Sequence, residues 1–260
     1  MKIFKLFKEN FKNTFVITLT TIVILLIGVI LAMALTRYFY DFKWSNENGS
    51  GSVSGAIYIM TDTSKLYGIT GIIGLTIYVF VMLFVTLHVE INRGLIVNYL
   101  TLPITRSEIY ISKIINLFVS LFLVVFPMMI IQFLITISYK DFDANMFFVL
   151  FKLDLGMYLY GLFIASIGVL IFSLIRMISI ASIVFISINL IFALFGFLSE
   201  VSSISASFLR YLTPSSLWDY KTILINNDYS YLWKYLVLII LTIPSLIGGW
   251  SLFEKMDMNI

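Results

Sequence analysis

Long apolar runs separated by short polar stretches organise this chain. The first runs from Thr14 to Thr36 with no charge before Arg37, and the second from Tyr67 to Val89, ended by Glu90. The third, Ile114 to Tyr139, is interrupted only by Gln132 and Pro127. A longer stretch, Leu155 to Ser199, carries Arg176 as its only charge, and the last run is Leu232 to Phe253, with Pro244 inside it and Lys234 near its edge. A bilayer core about 30 Å thick needs about 20 apolar residues in helix. At about 1.5 Å per residue the Leu155–Ser199 stretch would reach roughly 68 Å, so it is expected to fold as a hairpin turning near Arg176 to Ser179. The pattern therefore predicts an all-α membrane protein forming one domain over residues 1–260. Its six spans fall at about 14–36, 67–89, 114–139, 155–175, 178–199 and 232–253.

Outside the spans, residues 2–12 have a helical pattern of their own. At 100° per residue, with Ile3 at the origin, Phe7, Phe11, Phe4 and Leu6 share one arc, and Lys8, Lys12, Lys5, Glu9 and Lys2 share the opposite one. The expectation is an amphipathic helix on the membrane face, its lysines toward lipid phosphates or a partner protein. Four lysines lie within the thirteen residues before the first span, while the segments on the other side are longer and hold nine of the fourteen acids. By the positive-inside rule both termini are expected in the cytoplasm. A cleaved signal peptide is the rival for this start, because Ala32-Met33-Ala34 resembles a cleavage site. The apolar run is longer than the usual 7–15 residues of such a signal, so the segment is expected to be retained.

Composition narrows the function. The chain is 60% hydrophobic and 12% charged, against about 25% charged in soluble domains, which excludes a soluble globular protein. A net charge of +3 is too small to point to nucleic acid. With no Cys and one His, disulfide frameworks, thiol chemistry and His/Cys metal clusters are ruled out. A triad would have to use His88, and there is no G-x-S-x-G, no second His and no acid pair inside a span, so an intramembrane enzyme is a poor fit. Gln132 and Asn189 are the polar residues deep in the spans, able to line a path or to bond neighbouring helices. Lys152 and Asp154 are expected at the outer interface, the lysine snorkelling and the acid in water. Outer segments 37–66 and 200–231 carry Tyr38, Phe39, Tyr40, Phe42, Trp44, Phe208, Tyr211, Trp218, Tyr220 and Tyr229. An interfacial aromatic belt is the ordinary explanation, and an outer cap over a path for a greasy substrate the sharper one.

The segment Glu90 to Lys113 carries the most information. Leu95 to Leu102 is apolar enough for a short helix, Pro103 stops it, and Thr105 with Glu108 makes a capping box for a helix that runs on into the third span. Helix, break, helix describes a structured cytoplasmic elbow; an ordinary amphipathic connector is the plainer alternative.

Those residues carry a resemblance. Glu90, Arg93-Gly94, Tyr99 to Arg106 with Pro103 inside, and Lys113 at the start of the third span resemble the permease subunits of type-2 ABC transporters. So do six spans, a basic amphipathic helix before the first, Leu212-Thr213-Pro214 between the fifth and sixth, and Phe253 with Asp257 near the end. The resemblance implies that the elbow is a coupling helix seated on a separate ATPase subunit, with Glu90, Arg93, Gly94, Pro103 and Arg106 as coupling residues. It implies a second permease, identical or homologous, giving twelve spans, and an exporter. ATP and magnesium would reside on the partner, since this chain has no G-x-x-x-x-G-K-[ST] and no Gly preceding Lys; the chain itself needs no cofactor and is no enzyme. Glu90 and Arg106 as ordinary helix-end charges remain the alternative. The expected substrate is an amphipathic peptide or another hydrophobic compound, and the setting a bacterial cell membrane, given the Lys-, Ile- and Asn-rich, Ala-poor composition. A non-transporting immunity or scaffold protein that sequesters a toxic peptide is the alternative function. It would account for the outer aromatics but not for a structured elbow.

Overall fold

In hydrocarbon a backbone amide has only other backbone groups as partners, so an apolar run of membrane length becomes helical. The computed structural model of the protein follows that rule. It describes residues 2–46, 72–89, 104–137, 144–175, 177–201, 208, 211–218 and 232–255. The helices are α1 (Lys2–Asn46), α2 (Ile72–Leu87), α3 (Arg106–Ile137), α4 (Ala144–Leu174), α5 (Ile178–Val201) and α6 (Leu232–Glu254), with a 3₁₀ turn at Pro214–Leu217. Among the described residues there is no strand. Ile3–Leu31 in α1, Arg106–Ile135 in α3, Phe147–Leu174 in α4 and the whole of α6 are long and apolar enough to cross a membrane. Ile72–Leu87 and Ser179–Phe195 are shorter apolar helices.

Two boundaries differ from expectation. The amphipathic segment is not an element of its own, because α1 runs unbroken from Lys2 to Asn46. Nothing between Phe11 and the span breaks a helix, and no proline occurs in the whole of α1. Its 45 residues correspond to about 68 Å, more than a bilayer, so polar ends project beyond the apolar window. α4 likewise begins at Ala144, well before Leu155. The hairpin expected near Arg176 lies where predicted: α4 stops at Leu174 and α5 starts at Ile178, although Arg176 itself is outside the described residues. Pro127 and Pro244 sit inside α3 and α6 without ending them, as neighbouring helices permit in membrane bundles.

The bundle is organised by two extensive pairings, α1 with α3 and α4 with α6, joined by α3 against α4. Contacts reveal the directions. Asn10 meets Ser112 and Thr14 meets Asn116, so α1 and α3 run parallel. Arg106 meets Glu254 while Tyr110 meets Leu246, so α6 runs opposite to α3. α4 also opposes α3, since Phe133 packs on Phe147 and Phe122 on Tyr158. The starts of α1 and α3 and the end of α6 therefore share one end of the bundle. Leu75, Met82, Leu121, Val124, Leu153 and Phe185 are among its buried core residues. Gly168 lets Leu83 and Phe185 close on α4, where a Cβ would collide with Leu83 and crowd Phe185. Outward faces such as Ile24, Ile183 and Ile240 are apolar and exposed, the arrangement suited to lipid.

Candidate functional site

The first turn of α3 is built by its own side chains. The Glu108 carboxylate accepts the Thr105 amide at 2.9 Å, and the Glu108 amide donates to Thr105 Oγ1 at 3.3 Å. This is the capping box read from the sequence; it engages otherwise unpaired groups at the helix start. Thr105 also accepts the first helical bond, from Ile109 N at 3.2 Å.

That turn is clamped to the last turn of α6. Arg106 Nη1 donates to the Glu254 carbonyl at 2.9 Å, and Ser107 Oγ donates to the Glu254 carboxylate. The electrostatics are complementary, because a helix C-terminus favours a cation and a helix N-terminus favours an anion. One turn deeper, Tyr110 OH donates to the Leu246 carbonyl at 2.8 Å, and its ring packs on Phe253 with centroids 5.5 Å apart. A Cβ on Gly249 would lie 2.9 Å from that hydroxyl, so the glycine permits the approach.

Beside the clamp a buried polar seam joins α1 to α3. Asn10 Nδ2 donates to Ser112 Oγ at 3.2 Å, Asn116 Nδ2 donates to Thr14 Oγ1 at 3.2 Å, and Thr18 and Tyr78 share a hydrogen bond of 3.1 Å. Asn10, Thr14, Thr18, Ser112, Asn116 and Ser120 are all buried. Lys113, on the same turn of α3, is also buried and donates through Nζ to the carbonyl of Thr86. Thr86 lies in a π-helical stretch, Phe84–Val89, at the end of α2.

The opposite end holds a second construction. Thr213 and Pro214, from the Leu-Thr-Pro motif, start the 3₁₀ turn, and the Thr213 carbonyl accepts Ser216 N at 3.1 Å and Ser216 Oγ at 2.8 Å. The turn delivers Trp218 into a notch over Gly156, where the indole donates to the Leu153 carbonyl at 3.0 Å and packs on Tyr160. Tyr235 OH donates to the Lys152 carbonyl at 2.6 Å, and Lys234 Nζ to the Ser216 carbonyl at 3.2 Å.

Of the expected site residues, Arg106 is in the clamp. Glu90, Arg93, Gly94 and Pro103 lie outside the described residues, as do Asp257, Tyr220, Tyr229 and the side chains of His88, Tyr38, Phe39, Tyr40, Phe42 and Trp44. Gln132 is buried on α3, whereas Asn189, on α5, donates back to the Phe185 carbonyl of its own helix at 2.9 Å. Three expectations change. Asp154 is 2% exposed rather than in water, because α4 starts early enough to bring it inside the bundle. Lys234 bonds the 3₁₀ turn instead of only snorkelling. Trp218, at 1% exposure, is a buried anchor and not part of an interfacial belt, while Tyr211, at 82%, is exposed.

The seam is what sequence reasoning missed. Its signal was present as polar residues four apart on both helices: Asn10, Thr14 and Thr18, and Ser112, Asn116 and Ser120. No group of three or more His, Cys, Asp or Glu residues able to hold a metal occurs among the described residues. No family model matches the chain, and no curated protein matches it in sequence.

Proposed function

We propose that this chain is the transmembrane subunit of an ATP-driven exporter, energised by a separate ATPase subunit that carries ATP and magnesium. The six helices act as six alternating spans, with the shared end of α1, α3 and α6 in the cytoplasm. A second permease, identical or homologous, completes a twelve-span passage in a bacterial cell membrane. The segment Glu90 to Lys113 is the elbow on which the ATPase acts, with Glu90, Arg93, Gly94, Pro103 and Arg106 at the contact. The substrate is an amphipathic peptide or a similarly hydrophobic compound, matched to walls that are mostly apolar.

The observation that carries this proposal is the clamp of Arg106 and Ser107 on Glu254. A push on the start of α3 would be passed to α6 rather than absorbed in a slack connector. α6 packs along α4, so the displacement would reach the far end of the bundle. The lysine-rich start of α1 lies at the same end, in keeping with the positive-inside rule. The test is charge reversal, Glu90→Lys and Arg106→Glu, in the purified complex reconstituted in liposomes. Substrate-stimulated ATP hydrolysis is expected to be lost in both. Intact stimulation and intact assembly in both variants would overturn the assignment of these residues.

A further inference from the structure

We propose that Lys113 is a positioning residue that sets the register of the end of α2 against the start of α3, the two helix ends that carry the elbow; its functional part rests on the coupling role proposed above. Lys113 is 3% exposed. Burying an ammonium is expensive unless its donors are engaged, and two apolar helices can pack without one. What the lysine adds, and a methionine could not, is a directional bond to a backbone atom.

Its partner is the carbonyl of Thr86, within the π-helical stretch Phe84–Val89. π-Helical turns bond i to i+5, are rare, and collect at functional sites. A cation close to carbonyls near the end of a helix is also favoured by the helix dipole. The Thr86 side chain is engaged within α2, donating to the Met82 carbonyl at 2.6 Å, so the carbonyl is the atom Thr86 presents to α3.

The neighbours of Lys113 on α3 fix the other side of the contact. Ser112 accepts from Asn10 and Asn116 donates to Thr14, so the turn that holds Lys113 is also bonded to α1. Four residues toward its start the same helix carries the Ile109 amide, which makes the first helical bond, to the Thr105 carbonyl. A single turn of α3 thereby references both α1 and the end of α2. The described parts on either side of residues 90–103 are thus the ones whose mutual register Lys113 sets.

The chain has no cysteine, so spin labels can be introduced without background. Labels at Phe84→Cys and Ile111→Cys, both exposed positions, report across the Lys113 contact; labels at Val16→Cys and Ile115→Cys, also exposed, report between α1 and α3. Pulsed EPR distances are measured on the full chain in nanodiscs. Lys113→Met is expected to shift and broaden the first distance distribution and to leave the second unchanged. Lys113→Arg, which restores a cationic donor, is expected to return the first toward its narrow form. An unchanged first distribution in Lys113→Met overturns the proposal, and so does equal broadening of both, which would mean general loss of packing. With the ATPase partner present, Lys113→Met is expected to lose substrate stimulation of hydrolysis. Altered distances with stimulation intact would leave the register but overturn the coupling role.

Discussion

Trp218 is held by a notch that exists only because residue 156 is glycine. An alanine Cβ at that position would lie 2.5 Å from Trp218 Cδ1 and 2.7 Å from the Tyr235 hydroxyl. Overpacking of this kind costs about 1–3 kcal/mol. Removing the indole instead, by Trp218→Ala, costs about 3–5 kcal/mol for a fully buried tryptophan. At about 1.4 kcal/mol per factor of ten, the lower figure raises the undocked fraction of the turn roughly a hundredfold. The Ser216 amide donates to the Thr213 carbonyl within the docked turn, so its hydrogen exchange, followed by mass spectrometry, reads that fraction. Exchange tracks the open population when reclosing is faster than exchange. Gly156→Ala should speed exchange about fivefold or more. In the double variant the alanine no longer meets an indole, so the two effects should fall short of additivity by about 1 kcal/mol or more. Additive effects, or Trp218→Ala exchanging at the wild-type rate, would refute the docking of the turn as described.

Two other contacts give smaller effects. Thr105→Ala removes the hydroxyl that accepts the Glu108 amide, a cap worth about 1 kcal/mol; hydrogen exchange should quicken about fivefold at Glu108 and Ile109 and stay unchanged toward Ile137. Asn116→Leu deletes the bond to Thr14, which still donates to the Asn10 carbonyl at 3.1 Å. Bilayer polar contacts average about 0.6 kcal/mol and reach about 1.7, so equilibrium unfolding in mixed detergent should show a loss within that range; a much larger loss would mean the seam is cooperative beyond its pairs.

The helices were legible because hydrophobic run length is a strong signal in a membrane chain: the break between Leu174 and Ile178 followed from the excess length of one run, and Thr105 with Glu108 marked the start of α3 by capping chemistry alone. Burial was less legible. Asp154 and Trp218 were read by their residue types as an acid in water and an interfacial aromatic, but which side of a helix meets a neighbour is decided by tertiary packing. The seam was missed for a related reason. Thr14 and Thr18 do not interrupt an apolar run, and Asn10 lies before it, so hydropathy hides a pattern that spacing on two parallel helices reveals. The clamp between Arg106, Ser107 and Glu254 joins residues about 150 positions apart in the chain, beyond the reach of local pattern.

The central claim is that this chain works with an ATPase supplied by another subunit. It is tested most directly by purifying the tagged full-length chain from its native membranes in mild detergent and measuring both its composition and its ATP hydrolysis. The expected result is stoichiometric recovery of a chain bearing a G-x-x-x-x-G-K-[ST] motif, with hydrolysis stimulated by an amphipathic peptide after reconstitution in liposomes. Recovery of this chain with no nucleotide-binding subunit and no hydrolysis above background, from membranes where the protein is functional, would contradict it.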